Sequence, residues 1–211
     1  MSRLCYSRRE AVNHLRARCV YLARFIDRQG PLKLKVNRES GLFSALARAI
    51  VYQQLSGKAA ATIYGRFSEL FDTGVPDARS ASALTMAELR SVGLSQNKAL
   101  AIQDLAIKSL DGSLASRHRI ARMKDAEVIE NLVQVRGIGT WTAQMLLIFN
   151  LGRADILPAA DLGVQKGVQA VYRMKTLPPP GAVVLRTRHL APFRSAASWY
   201  FWRAADTVPE S

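Results

Sequence analysis

Cysteine is scarce in this sequence: Cys5 and Cys19 are its only two in 211 residues. Both fall in a stretch that reads as one helix and its lead-in, which excludes a disulfide framework and a Cys-rich metal site and suits a reducing cytoplasm. Long apolar runs are also missing. No segment approaches the roughly 18 apolar residues of a membrane span, so no membrane-spanning segment is expected. Met1 to Glu10 carries three arginines but no apolar core of about 7 to 15 residues follows, so no secretion signal is expected either. Acidic residues are few, 16 against 30 Lys and Arg, for a formal charge of +14. That imbalance favours a polyanionic partner such as nucleic acid or an acidic membrane. It also suits an ordinary basic soluble enzyme, because charge attracts any phosphate backbone without saying what is done there. There is no strand-rich region, internal repeat or low-complexity tract, and 49% hydrophobic residues is enough for a substantial core.

Helical periodicity dominates. Leu15, Cys19, Leu22 and Ile26 recur at three and four residue steps, and Leu42, Phe43, Leu46, Ile50 and Val51 repeat the pattern after a Gly30-Pro31 break. Leu32, Leu34 and Val36 alternate with Lys33 and Lys35 in a short extended segment. Ser56 can cap a helix that ends at Gly74-Val75-Pro76-Asp77. Thr85 to Glu88 reads as a capping box, with Gly93 closing that helix, and another runs from Ser95 to Asp111-Gly112. From Asp125 the pattern is helix, a tight Arg136-Gly137-Ile138-Gly139, and a second helix from Thr140 through Phe149. A helix from Asp161 to about Tyr172 follows, then a Pro178-Pro179-Pro180-Gly181 break and two last helices around 184–190 and 193–204.

The glycines at 137 and 139 let the backbone turn sharply with positive φ and leave amides pointing outward at the start of the second helix. Such amides, aided by the helix dipole, bind phosphate without base preference. A lone Gly-x-Gly is also simply a tight interhelical turn.

The stretch Leu132-Val-Gln-Val-Arg-Gly-Ile-Gly-Thr-Trp-Thr-Ala143, followed by Asp155-Ile-Leu-Pro-Ala-Ala-Asp-Leu-Gly163, closely resembles the helix-hairpin-helix DNA glycosylases, in particular the 3-methyladenine DNA glycosylase II branch. Ile50-Val-Tyr-Gln-Gln-Leu-Ser56 resembles that family's DNA-probing helix and loop, and Pro192-Phe-Arg-Ser-Ala-Ala-Ser-Trp-Tyr-Phe-Trp-Arg203 its last helix. Four motifs in the family's order are far more specific than any one alone.

The resemblance implies an all-α, two-lobed fold with an interlobe DNA-binding cleft: one helical lobe over 43–154, and a second from 1–42 with 155–211. It implies a base-excision repair enzyme acting as a monomer on double-stranded DNA containing alkylated purines, in the cytoplasm, at a bacterial nucleoid or in a eukaryotic nucleus. Asp161 matches the catalytic carboxylate. Trp141, Trp202 and Tyr52 match positions lining the base pocket. Gln53, Gln54, Arg136, Gly137, Gly139, Thr140 and Thr142 form the DNA-binding set. A sodium or potassium ion at the backbone carbonyls of Val133, Val135 and Ile138 is a further implication. An iron–sulfur cluster is not expected, since no Cys lies beyond residue 19.

The chemistry asks for these residue types. A glycosidic bond inside a stacked duplex is out of reach, so the nucleotide must be flipped and its gap propped, here by Gln53 and Gln54. An alkylated purine is cationic, a good leaving group that aromatic faces recognise. As it departs, positive charge develops on the sugar, and a fixed carboxylate stabilises it and orients water. Without the motif, Asp161 reads equally as a helix N-cap, and Trp202 as a core aromatic. Lyase relatives carry a Schiff-base Lys where this chain has Trp141, which points to a monofunctional enzyme. A non-catalytic damage-binding module and a bifunctional glycosylase/lyase remain as alternatives. Leu190-Ala191, where family members often carry Trp, and Ala159-Ala160, where others carry bulkier or acidic residues, depart from the pattern and bear on pocket shape.

Overall fold

The computed structural model describes residues 4–37 and 41–207. Among these residues every regular element is helical. In chain order the helices are α1 Arg8–Arg18, α2 Val20–Gln29, α3 Leu42–Tyr52, α4 Gly57–Ser68, α5 Ala78–Ala83, α6 Met86–Ser91 and α7 Gln96–Leu110. They continue as α8 Arg117–Ile120, α9 Asp125–Leu132, α10 Thr140–Phe149, α11 Leu162–Tyr172, α12 Pro180–Thr187 and α13 Arg194–Ala205. A single 3-10 turn, Arg188–Leu190, precedes α13.

The chain forms two compact units: Met1–Asn37 with Leu147–Ser211, and Arg38–Leu146. These bounds differ from the 43 and 155 expected, because the end of α10 and its following loop pair with the N-terminal segment. Asn37 N–H donates to Phe149 O, Asn150 Nδ2 donates to Asn37 O, and Cys5 N–H donates to Gly152 O.

Local chemistry explains the helix starts. Ser56, Asp77, Ser95 and Asp161 each accept a backbone N–H from the first turn of α4, α5, α7 and α11, and the Thr85–Glu88 capping box opens α6. The single helix expected across Leu15 to Ile26 is two. Cys19 sits extended at φ −147°, ending α1, while its Sγ accepts the Leu22 N–H and opens α2. The triple proline is less a break than a start, with Pro180 in the first turn of α12, where its missing N–H costs nothing. Leu32, Leu34 and Val36 are buried between exposed lysines, as their alternation requires, although no strand partner pairs with them among the described residues.

In the first unit, α11 and α13 make the most extensive helix pairing. Gly167 allows it: a Cβ there would lie 1.9 Å from Phe201 O. The loop before α11 is fastened to the start of α13. The Arg194 guanidinium grips both Asp155 oxygens at 2.7 Å, and Ser195 Oγ accepts the Ile156 N–H. Burial pushes the Asp155 carboxyl up, but the Arg194 hydrogen bonds outweigh it and hold the group below the usual carboxylate range.

Candidate active site and nucleic-acid interface

The candidate residues fall in both units, and each set is built separately. In the first unit, a turn closed by Asp161 N–H to Pro158 O delivers Asp161 to the head of α11. Its Oδ1 accepts the Val164 N–H at 2.8 Å as an N-cap. The same oxygen accepts the indole N–H of Trp202, also at 2.8 Å. Trp202 in turn stacks on Phe149, ring centroids 5.6 Å apart at 28°. Asp161 and Trp202 are both half-buried. Gly163 makes room for the pair, since a Cβ there would meet Trp202 Cδ1 at 2.8 Å and Asp161 Oδ1 at 3.1 Å. Sequence reasoning placed Asp161 and Trp202 as separate candidates and missed the bond between them. Gly163 and Gly167, four residues apart on one face of α11, were the available signal for a close helix partner.

Leu190 is fully buried, so the residue standing in place of the family's frequent Trp is a core side chain. Ala159 is half-buried, with its carbonyl accepting Gln165 Nε2, and Ala160 is exposed.

In the second unit, α9 ends at Leu132 and two turns follow, Val135 N–H to Leu132 O and Ile138 N–H to Val135 O. Gly137 is left-handed at φ +76°, with Ala101 of α7 against it. Gly139 is not, correcting the expectation of two positive-φ glycines; the turn needs only one, and nothing lies within 4 Å of a Cβ at 139. Among the described residues the Gly139 and Thr140 N–H groups donate to no acceptor, so the head of α10 presents amides suited to a phosphate. Arg136 and Thr140 are exposed, but Thr142 is 6% exposed, which removes its side chain from the contact set. Trp141, second residue of α10, is 50% exposed.

The carbonyls of Val133 and Ile138 accept no backbone N–H among the described residues, and that of Val135 accepts only the Ile138 N–H. These three oxygens therefore retain the lone pairs a monovalent cation would use. No cluster of His, Cys, Asp or Glu able to hold a metal occurs among the described residues.

The hairpin is braced from α7. Asp104 Oδ2 accepts the Arg136 N–H at 2.7 Å, and Lys108 Nζ bridges Asp104 and the Gln134 carbonyl. Burial raises the Asp104 carboxyl, but the Arg136 N–H and Lys108 hydrogen bonds prevail and keep it below the ordinary value.

At the end of α3, Gln53 and Gln54 separate as candidates. Gln53 Nε2 donates to Gly137 O at 2.8 Å, so its amide is engaged by the hairpin. Gln54 is exposed and left-handed at φ 56°, rare for a non-glycine residue, so of the two it is the one whose side chain lies at the surface. The Arg48 guanidinium lies 4.1 Å above the Tyr52 ring, and Tyr64 packs edge-on 6.2 Å from it.

A family model described as "HhH-GPD superfamily base excision DNA repair protein" matches residues 47–192. The chain belongs to the HhH-GPD superfamily. DNA-3-methyladenine glycosylase 1 of Schizosaccharomyces pombe is 34% identical over 164 residues, 77% of this chain and 72% of that protein. The structure of that yeast's 3-methyladenine DNA glycosylase (Mag1) in complex with abasic DNA has a TM-score of 0.80 at 32% identity, covering 92% of this chain and 95% of that one. The DNA-3-methyladenine glycosidase of Bacillus halodurans superposes with a TM-score of 0.85 at 31% identity, covering 93% and 89%.

The HhH-GPD match begins within α3 and ends just before α13, so it contains the Gln53-Gln54 turn, the hairpin and Asp161 but not Trp202. The place of Trp202 in the site therefore rests on its bond to Asp161. For the hairpin, a Gly137→Leu variant is expected to weaken binding to damaged and undamaged duplexes alike, by about tenfold, because a side chain at φ +76° costs on the order of 1–2 kcal/mol and shifts the phosphate-facing amides. Gly139→Ala, unstrained and uncrowded, is expected to bind within about twofold of wild type. Fluorescence anisotropy on matched duplexes checks both, and loss of affinity for one lesion only would refute the backbone-clamp role.

Proposed function

We propose that the chain is a monofunctional DNA glycosylase of base excision repair. It flips alkylated purines such as 3-methyladenine and 7-methylguanine from duplex DNA and hydrolyses their N-glycosidic bond. One observation carries this reading: the half-buried Asp161 carboxylate, held by two N–H donors at 2.8 Å in a chain of the HhH-GPD superfamily.

A carboxylate whose rotamer is locked by a helix amide and an indole loses no orientation entropy as charge develops on the sugar, so its stabilisation is realised in the transition state. The base, already cationic, leaves without a strong general acid. Trp141, Trp202 and Tyr52 offer aromatic faces for it, with one face of Trp202 committed to Phe149 and Arg48 already lying over Tyr52. The α10 amides and Arg136 hold the phosphate backbone, and a monovalent cation at the Val133, Val135 and Ile138 carbonyls would add charge there. Gln54 fills the gap left by the flipped nucleotide. An aromatic side chain at 141 supplies no amine for Schiff-base chemistry, hence hydrolysis without strand cleavage. The enzyme acts as a monomer.

The test is base release from methylated duplexes, with hypoxanthine and ethenoadenine in the same panel. Free 3-methyladenine and 7-methylguanine with intact strands and no borohydride-trapped adduct is the expected result. A trapped adduct would overturn the monofunctional assignment, and release of no base would overturn the enzymatic one.

A further inference from the structure

The second unit contains a closed ring of contacts that no motif anticipated. Lys98, in the first turn of α7, places Nζ 2.7 Å from Val51 O and 2.8 Å from Gln53 O. These are carbonyls at the end of α3, which stops because Gln53 is extended and Gln54 left-handed. Helix ends leave such carbonyls without partners, and the ammonium supplies them from across the fold. Lower on the same helix, Ala101 abuts Gly137, while Asp104 and Lys108 hold the hairpin at Arg136 N–H and Gln134 O. Gln53 Nε2 to Gly137 O closes the ring between turn and hairpin.

We propose that Lys98 is a positioning residue: by clamping the carbonyls on either side of Tyr52 it holds the Gln54 turn in its left-handed form and couples that turn, through Gln53, to the hairpin. Phosphate capture at the α10 amides then sets the turn for insertion. The inference rests on the glycosylase reading given above. Lys98 is half-buried, burial lowers its affinity for a proton, and no carboxylate pairs with it among the described residues, so its ammonium is held by the two carbonyls. Its position beside a surface hollow of about 350 Å³ bounded by Gln53, Gln54, Asn97, Arg136 and Gly137 puts it under the two DNA-facing elements at once.

Lys98→Met keeps the aliphatic stem and removes the donors. With full-length protein and duplexes carrying 2-aminopurine beside an alkylated purine, stopped-flow fluorescence reads flipping and single-turnover release reads the following step. Flipping and release are expected to slow about tenfold or more, the scale set by losing a charged hydrogen bond. Affinity for undamaged duplex should stay within about threefold, and Lys98→Arg should restore most of the rate. Flipping at the wild-type rate, or affinity for undamaged duplex falling in step with flipping, would each overturn the proposal. Should Lys98→Met fail to fold, Lys98→Gln, which removes the charge and shortens the reach to the two carbonyls, must give the same split of flipping from binding, and its absence overturns the proposal. Wild-type protein that releases no alkylated base would sink the glycosylase reading instead, a result visible before any variant is made.

Discussion

Asp161→Asn is expected to cut release of 3-methyladenine and 7-methylguanine by about 10³-fold or more, the scale on which enzymes lose a preorganised electrostatic partner. The substitution is unusually clean. Asn has an Oδ1 in the same place, so it can accept both the Val164 N–H and the Trp202 indole N–H that Asp161 accepts. It is also as good an N-cap as Asp, so α11 keeps its start and stability should change by no more than about 1 kcal/mol. The charge is lost and the second carboxylate oxygen becomes an NH2 donor, so the stabilisation proposed for a cation-like sugar should go with it. Binding to duplex DNA, which we assign to the hairpin, should be within a few fold of wild type. Single-turnover release measured beside anisotropy separates the two, and undiminished release by this variant would end the case for Asp161 as the catalytic group.

The second large effect is structural. In Gly167→Ala the new methyl carbon would stand 1.9 Å from Phe201 O and 2.6 Å from Phe201 Cα. Both are backbone atoms, so no rotamer change relieves the clash and α13 must move away from α11. Overpacking of this kind costs roughly 3 kcal/mol or more, a fall in melting temperature of about 6 °C or more for a chain of this size. Because Trp202 is the next residue on α13, release should fall as well, through the broken bond to Asp161. Gly181→Ala is the control: nothing lies within 4 Å of a Cβ there, and alanine in the first turn of α12 should be neutral or stabilising by about 0.5 kcal/mol. Equal melting temperatures for Gly167→Ala and wild type would contradict the close approach.

How far the chain could be read without coordinates depended on whether the cause was local. Helix starts at Ser56, Thr85, Ser95 and Asp161 were legible because a cap bonds within three residues of itself. The two-glycine hairpin was legible as a turn, though not the fact that one glycine alone takes the left-handed conformation. Short helices α5 and α8 carry too few residues for a periodicity to register. The break at Cys19 interrupts an apolar stripe that continues across it, so the stripe concealed the break. For contacts between residues far apart in the chain the partners were not legible, beyond the hint of a close helix neighbour in Gly163 and Gly167: Trp202 with Asp161, Arg194 with Asp155, Gln53 with Gly137, and Lys98 with the end of α3. Family resemblance located Asp161 and Trp202, but the bond that makes them one device is a product of packing.

The missing side chain at Gly163 ties two properties of the enzyme together. An indole that is both an aromatic surface and the donor fixing the carboxylate cannot be exchanged for another ring without loosening the group to which we assign bond cleavage. On the proposed reading residues 161, 163 and 202 can be exchanged only as a set, because a change at any one removes a bonding partner or the space of the other two.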